Sequence, residues 1–313
     1  MGQNNVIELR NVTKRFGAVV ANNDVSMDVR RGEILSLLGE NGSGKTTLMN
    51  MIAGIYFPDS GEIFIDGKEV VIRSPQDAYK YHIGMIHQHF KLIDIFTAAD
   101  NVILGEKMPP FSIREKSKEY KDKLDDYGIV VDADDERSPV KEIRLGDKPA
   151  EKIKCALKCA TLPFVKLGKK IKFNHLSRNR VDIVQKIVDK YGFDINVKKK
   201  IYDMSVSEKQ TVEIIKTLYR GADILILDEP TRGIDVGAKY EIYCIIADLA
   251  KQGKSIIMIS SEMSEIIGMS NRVMVMCDGR ITGFINGKDA TQENIMALAT
   301  QFETAPDTAA ANQ

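Results

Sequence analysis

Residues 33–53 read EILSLLGENGSGKTTLMNMIA, and this stretch decides the fold of the chain. The run EILSLL is short and apolar, which predicts a buried β-strand. A glycine-rich segment follows, and residues 46–53 then have the apolar spacing of a helix. A strand, a glycine-rich turn and a helix in this order are typical of a phosphate-binding loop in an α/β protein.

The segment GENGSGKT also fits the pattern G-x-x-x-x-G-K-[ST]. Glycines let backbone N–H groups turn inward around phosphate oxygens, and the N-terminus of the helix adds positive potential. Lys45 supplies a mobile charge, and Thr46 offers a hydroxyl to Mg²⁺. A chance glycine-rich turn is the alternative, but the flanking strand and helix argue against it. We therefore expect ATP·Mg²⁺ to be held by Gly39, Asn41, Gly42, Ser43, Gly44, Lys45, Thr46 and Thr47.

A second motif, ILILDEPT at residues 224–231, places two carboxylates after a buried apolar run. Asp228 stands where the end of a strand can reach Mg²⁺, directly or through water, and Glu229 is placed to polarise an attacking water. A strand that merely ends in solvated acids would not explain the glycine-rich loop elsewhere in the chain. The two motifs together predict a P-loop nucleoside triphosphatase.

The rest of the pattern surrounds this core with further elements. It predicts an N-terminal β-ribbon (6–12 and 18–29), strands at 61–65, 83–87 and 255–260, helices at 180–191 and 236–250, and a closing hairpin (272–277 and 280–285). We expect an α/β P-loop core with an N-terminal antiparallel β-subdomain and an inserted helical subdomain. The expected divisions are 1–106, 107–198 with an unusual insertion, 199–300, and a disordered tail at 301–313.

Charge and composition exclude several classes of protein. Lys+Arg and Asp+Glu balance at 44 each, so no overall field favours nucleic acid. No stretch approaches the roughly 18 apolar residues that span a bilayer, and the first residues lack the apolar region of a secretion signal. We therefore expect a cytosolic chain that reaches a membrane only through a partner.

The order of motifs resembles a known family. The P-loop, IHQHF (86–90), MSVSEKQ (204–210) and LDEPT (227–231) are similar to the ATP-binding subunit of an ABC transporter, and GMIHQHFKLID (84–94) is similar to the simple-sugar and nucleoside importers. The resemblance implies that Phe16 stacks on adenine and that Gln88 contacts Mg²⁺ or water and senses the membrane partner. It also implies that Ser205 closes over the γ-phosphate of the opposite subunit, and that Asp235 lies at the dimer interface.

The same resemblance implies partners and a location. These are transmembrane permease subunits, a second ATP-binding cassette in a head-to-tail homodimer or heterodimer, and an extracytoplasmic solute-binding protein that acts indirectly. The chain would lie at the cytoplasmic face of the cell membrane as a peripheral subunit.

Two departures from the family pattern bear on catalysis. The signature LSGGQ is replaced by residues 204–208, MSVSE, and Ser261 stands where the family places a switch histidine. A serine can hydrogen-bond a phosphate oxygen, but it cannot relay a proton as imidazole does. We therefore predict ATP binding with slow hydrolysis, with Ser261 joining Glu229 and Gln88 as the catalytic residues.

The wording of the motifs also suggests how the chain arose. Importers of this subfamily usually carry two fused cassettes, and residues up to Thr231 resemble a first cassette. From Arg232 onward, RGIDVGAKYEIY and ISSEMSEIIGMSNRVMVM resemble the end of a second. We hypothesise a composite joined near residues 228–231. The alternative is a native single cassette with an inserted helical region, since residues 132–180 match no cassette pattern.

Three functions remain open from the sequence. The leading one is an ATPase subunit that energises import of a simple sugar or nucleoside. The second is a hydrolysis-impaired remnant or regulatory cassette that pairs with a complete one. The third, a soluble ABC ATPase acting on ribosomes or DNA, is disfavoured by the neutral charge.

Overall fold

The computed structural model describes residues 5–104 and 181–300. The strands in these ranges are β1 (Asn5–Phe16), β2 (Val19–Arg30), β3 (Ile34–Gly39), β4 (Ser60–Ile65), β5 (Lys68–Val70), β6 (Ile83–Ile86), β7 (Ile224–Asp228), β8 (Ser255–Ile259), β9 (Arg272–Cys277) and β10 (Arg280–Asn286). The α-helices are α1 (Lys45–Ile52), α2 (Pro75–Lys80), α3 (Ala98–Ile103), α4 (181–191), α5 (Val206–Tyr219), α6 (Val236–Lys251), α7 (Met263–Met269) and α8 (Gln292–Ala299).

The first sheet is antiparallel and has the strand order β2-β1-β4-β5. Its long central strand β1 pairs with β2 on one side and with β4 on the other, so that Ile7 lies opposite both Val29 and Ile65. These three side chains are buried, as the alternation of apolar and polar residues requires. The predicted N-terminal antiparallel β-subdomain is confirmed.

The second sheet carries the predicted α/β core. Its order is β10-β9-β3-β8-β7-β6, with parallel pairing from β9 through β6 and an antiparallel β10 at one edge. Strands β3, β8, β7 and β6 therefore end at the same edge of the sheet, the position where open α/β sheets bind ligands.

Both faces of this sheet are buried, which explains its continuous apolar strands. In β7, Leu225 and Leu227 pack into a cluster with α4, α5 and α6, whereas Ile224 and Ile226 pack into a second cluster with α1 and the antiparallel sheet. Successive side chains of β7 thus point alternately into two cores. The glycine-rich loop and the acidic motif follow strands that cannot shift without disturbing both of these cores.

Most of the predicted elements that lie in the described ranges are confirmed, with end points moved by one or two residues except in β1, which ends at Phe16, four residues beyond its predicted end. The closing hairpin turns at Asp278 and Gly279, whose φ values of 45° and 72° are those of a type I′ turn. The structure adds β5, α2, α3, α7 and α8, which the sequence analysis did not predict. None of the helices within residues 5–104 and 181–300 combines the length and apolarity needed to cross a bilayer. The predicted insertion at 132–180 and tail at 301–313 lie outside the described residues.

Gly84 marks a close contact between β6 and α5 that we predict to be sensitive to substitution. A Cβ at this position would overlap Thr217 Cγ2 and lie 3.1 Å from the Cβ of Ala222. Thr217 is buried, and its hydroxyl donates to the carbonyl of Glu213 at 2.8 Å, which holds the methyl group in place. We expect Gly84→Ala to lower the free energy of unfolding by roughly 1–3 kcal/mol, measured by urea denaturation.

The pair Gly84→Ala/Thr217→Ser provides the control, because serine keeps the hydroxyl and removes the obstructing methyl group. We expect this double variant to regain most of the lost stability. A double variant no more stable than Gly84→Ala alone would contradict the packing argument.

Candidate active site

The glycine-rich loop connects the end of β3 to the start of α1. Gly44 precedes the helix with a φ of 93°, and a Cβ there would overlap the carbonyl oxygen of Ala21. A Cβ on Gly39 would likewise overlap the carbonyl oxygen of Met276. The first turn of α1 contains no acidic residue, so the helix itself does not offset the positive end of its dipole. Glycine at these two positions permits the path of the loop, which suits an anion bound by backbone N–H groups.

Lys45 lies folded against this loop. Its Nζ donates to the carbonyl oxygens of Gly39 at 2.6 Å and Glu40 at 2.7 Å. Burial lowers the pKa of Lys45, although the carboxylates of Glu229 and Asp228 act in the opposite direction. The exposed loop residues are Asn41, Gly42 and Thr46, whereas Ser43 is buried and Thr47 is half-buried. The ammonium group thus stands inside the loop, 3.4 Å from the Ser43 hydroxyl.

The two acids of the DEPT motif stand at the end of β7. Glu229 has a φ of 51°, a left-handed conformation that is strained for a residue with a Cβ. Its N–H donates to the carbonyl of Ile259 at 3.0 Å, across to the end of β8. Burial raises the pKa of Asp228, the Glu229 carboxylate raises it further, and Lys45 lowers it. Backbone strain together with mutually perturbed charges is characteristic of functional sites.

Ser261 meets Glu229 directly. The Ser261 hydroxyl donates to Glu229 Oε2 at 3.1 Å. The contact forms because β7 and β8 are adjacent parallel strands, with Asp228 opposite Ile259, so that the residues following each strand lie side by side. The structure therefore brings together two of the three predicted catalytic residues.

Gln88, the third, follows the end of β6, which is the next strand beyond β7. With its amide turned so that the oxygen faces the guanidinium, Gln88 accepts hydrogen bonds from Arg232, at 3.1 Å from Nε and also from Nη1. The analysis of the sequence did not select Arg232 as a site residue. Its position three residues after Glu229, in DEPTR, is the signal that could have identified it.

Phe16 ends β1 and is 45% exposed. The ring of Tyr56 meets it edge to face, with 5.2 Å between centroids. Asp59 holds the strand end in place, accepting from the backbone N–H of Arg15 at 2.6 Å and from Lys14 Nζ at 2.9 Å. Phe16 pairs with Val19 of β2, the strand that also contacts the glycine-rich loop. Tyr56 is a second aromatic residue that the sequence analysis missed.

Ser205 and Asp235 are N-caps of long helices. Ser205 Oγ accepts from the N–H of Glu208 at 3.1 Å and Glu208 Oε2 accepts from the N–H of Ser205 at 2.7 Å, which is a capping box at the start of α5. Asp235 caps α6 through the N–H of Ala238 at 3.2 Å. The structure does not link either residue by hydrogen bonds to the glycine-rich loop or Glu229 within the described part of the chain.

Comparisons with known proteins agree with this geometry. The family model described as ABC transporter matches residues 22–232. The glucose import ATP-binding protein TsgD13 of Haloferax volcanii is 35% identical over 297 residues, which cover 93% of this chain and 47% of the relative. The guanosine import ATP-binding protein NupO of Bacillus subtilis is 37% identical over 294 residues, covering 94% of this chain and 46% of the relative. The chain spans about half the length of the curated relatives it matches.

Solved structures show the same fold at low identity. The ATP-binding cassette MJ1267 of an ABC transporter, in its ADP conformation, matches with a TM-score of 0.65 at 20% identity, over 96% of each chain. A dimeric bacterial ABC transporter cassette, MJ0796, matches with a TM-score of 0.58 at 20% identity, over 90% of this chain and 98% of that one.

The capping box at Ser205 leads to a prediction about stability. Ser205→Ala removes the acceptor for the N–H of Glu208, and we expect it to lower the free energy of unfolding by about 1 kcal/mol, measured by urea denaturation. Glu208→Gln is the comparison variant, because glutamine also completes a capping box. It gives up the ion pair of Glu208 with Lys199 Nζ at 2.8 Å, which is partly exposed, and we expect a smaller loss than in Ser205→Ala. A Ser205→Ala variant as stable as the unaltered chain would refute the capping role.

Proposed function

This chain belongs to the ABC transporter family, and from this premise we propose that it hydrolyses ATP·Mg²⁺ to power import of a simple sugar or nucleoside through separate transmembrane subunits. The observation that carries the proposal is that the phosphate loop, the acidic pair, Ser261 and Gln88 all follow strands ending at one edge of a single sheet. The solute class rests on the names of relatives, which include glucose and guanosine import proteins.

The residues present fit a magnesium nucleotide. The glycine-rich loop offers backbone donors that no Cβ obstructs, and Lys45 offers a positive charge, which together suit a polyphosphate. The oxygens of Thr46 and Asp228 are hard donors of the kind that Mg²⁺ prefers, and Gln88 would add a third once its oxygen is released from Arg232. The exposed Phe16–Tyr56 pair supplies aromatic surface for a base. When bound, Mg²⁺ would neutralise charge on the phosphates.

Glu229 is the group that would take the proton of the attacking water. Its carboxylate is fixed by the Ser261 hydroxyl at 3.1 Å, so its position is set before the nucleotide enters. Ser261 itself carries no charge at neutral pH and cannot pass a proton as imidazole would. The lack of an imidazole at position 261 supports slow turnover. The glycine-rich loop and Lys45 do not depend on this position, which supports intact binding of ATP.

We propose a head-to-tail dimer because each chain would supply only half of a nucleotide site, either the glycine-rich loop or Ser205 and Asp235. Ser205 and Asp235 cap α5 and α6, and neither bonds to the glycine-rich loop of its own chain within residues 5–104 and 181–300. The Ser205 oxygen accepts a hydrogen bond in the cap, and it lies 3.0 Å from the Ser207 hydroxyl. When Ser207 is the donor in that contact, the hydroxyl hydrogen of Ser205 can turn toward a phosphate of another cassette. A second cassette, from this chain or a related one, would complete each nucleotide site.

Membrane subunits and a solute-binding protein are proposed as the other partners, with this chain peripheral at the cytoplasmic face. Support comes from the import function that the relatives' names record. The balanced charge of the chain gives no support to a role in binding nucleic acid.

The composite origin remains a hypothesis. Strand β7 pairs with β6, which precedes residues 228–231 in the sequence, and with β8, which follows them. Segments from both sides of this point therefore share one sheet. A join there would have preserved a complete core. The alternative, a native single cassette, predicts many relatives of this same length.

Glu229→Gln tests the proposed activity. We expect this variant to bind ATP as the unaltered chain does, because the carboxylate is not part of the phosphate loop, and to lose at least about 100-fold in turnover. Lys45→Ala is the companion variant and should lose ATP binding. Binding is followed by calorimetric titration, and turnover by phosphate release with and without the membrane subunits. ATP hydrolysis that survives Glu229→Gln at full rate would refute the role assigned to Glu229, whereas an unaltered chain that binds ATP without hydrolysing it would favour a regulatory cassette.

Ser261→His tests the cause of slow turnover. Imidazole next to Glu229 can share and relay a proton, so we expect turnover to rise about tenfold or more at neutral pH, measured by phosphate release. Ser264→His is the control, since Ser264 is exposed on the same segment and should leave the rate unchanged. An unchanged or lower rate in Ser261→His would show that the missing histidine does not limit turnover.

A further inference from the structure

Glu265 is a buried acid that the mechanism above does not use. It lies in the first turn of α7 and is only 4% exposed. Its Oε2 accepts from the Ser260 hydroxyl at 2.7 Å, and its Oε1 accepts from the Tyr243 hydroxyl at 2.7 Å. Oε1 also accepts from the Thr231 hydroxyl, and Lys239 Nζ lies 3.4 Å away. Three hydroxyls and an ammonium therefore converge on one carboxylate.

Two of these partners belong to the segments that carry the catalytic pair. Thr231 follows Glu229 by two residues after β7, and Ser260 immediately precedes Ser261 after β8. Thr231 and Ser260 are 2% and 1% exposed, so these bonds are sheltered from water. One carboxylate thus ties together the two segments whose side chains meet in the Ser261–Glu229 hydrogen bond.

The Glu265 carboxylate is the common acceptor of this network. Burial pushes the pKa of Glu265 upward, but the bonds from Thr231, Ser260 and Tyr243 outweigh it and leave the pKa below its usual range. Burial and the Glu265 carboxylate raise the pKa of Tyr243, so its phenol stays a donor. Hydrogen bonds to an ionised acceptor are stronger than those between neutral groups, which favours the observed arrangement.

The strained backbone of Glu229 needs support from its surroundings, and this network is part of them. A left-handed conformation at a residue with a Cβ persists only where its surroundings over-determine it. On one side the Glu229 N–H is held by the carbonyl of Ile259, and on the other Thr231 is held by Glu265.

We propose that Glu265 is a positioning residue that keeps Glu229 and Ser261 in the relative geometry needed to activate water. This inference rests on the proposed ATPase function. Glu265 touches no nucleotide-binding residue of the glycine-rich loop, so it acts on turnover and leaves ATP capture alone.

The test is a double-mutant cycle on the full-length chain, with Glu265→Gln, Ser261→Ala and the double variant. Glutamine keeps the size of the side chain, but it replaces a charged acceptor with an NH₂ group that faces a hydroxyl donor. We expect Glu265→Gln to lower kcat about tenfold while KM for ATP changes less than about twofold, and to lower it by less than about threefold in the Ser261→Ala background. Residues that act through one contact lose their effect once that contact is gone.

Glu262→Gln is the matched control. Glu262 also bonds Lys239, but it is exposed, and among the described residues its side chain bonds none of the three hydroxyls. Only its backbone N–H, which the substitution keeps, donates to Ser260 Oγ at 3.0 Å, so the kcat of Glu262→Gln should equal that of the unaltered chain. Tyr243→Phe removes one donor and keeps the charge. It provides the same cycle if Glu265→Gln does not fold, as judged by thermal unfolding.

Equal loss of kcat in both backgrounds would overturn the inference, as would a loss in Glu262→Gln equal to that in Glu265→Gln. Either result leaves the proposed function intact, provided that the unaltered chain hydrolyses ATP. An unaltered chain that hydrolyses none, with or without membrane subunits, would refute the proposed function and this inference together.

Discussion

The parallel alignment of β3, β8, β7 and β6 is the constraint on which the site depends. Because all four strands run in the same direction, the residues that follow them meet at one edge, although they are far apart in the sequence. Burial on both faces fixes the register, since each strand contributes alternate side chains to two cores. The site is rigid because the sheet beneath it is.

At that edge the charges perturb one another. Lys45 is drawn into the loop by carbonyl oxygens, the acidic pair at the end of β7 faces it, and burial disfavours ionisation of both Lys45 and Asp228. Such an arrangement is costly without a ligand, and a divalent cation with a polyphosphate would satisfy both signs of charge at once. Glu265 is a third carboxylate, and its oxygens accept from hydroxyls on the segments that follow β7 and β8. We propose that Glu229 is held for chemistry and that Glu265 holds the two segments in place.

The altered signature motif shows how helix capping and function share a residue. Replacing glycines by Val206 and Ser207 reduces the freedom of the backbone, yet Ser205 still opens α5 through a complete capping box. The helix start is therefore held by side-chain hydrogen bonds. The same serine oxygen caps the helix and is the group proposed to face the nucleotide of a second cassette.

Local patterns in the sequence determined the elements of this protein. The P-loop, the DEPT strand and the Asp278–Gly279 turn each depend on neighbouring residues, so their chemistry could be predicted directly, and the family followed from their order. The contacts of Ser261 with Glu229, Gln88 with Arg232, and Glu265 with Thr231 could not, because each joins residues that only strand order brings together. Helix α7, too short to show a clear period, escaped prediction for a related reason, since packing against neighbouring strands stabilises it. The sequence thus determined which groups we propose to do the chemistry, and the tertiary structure alone decided which of them touch.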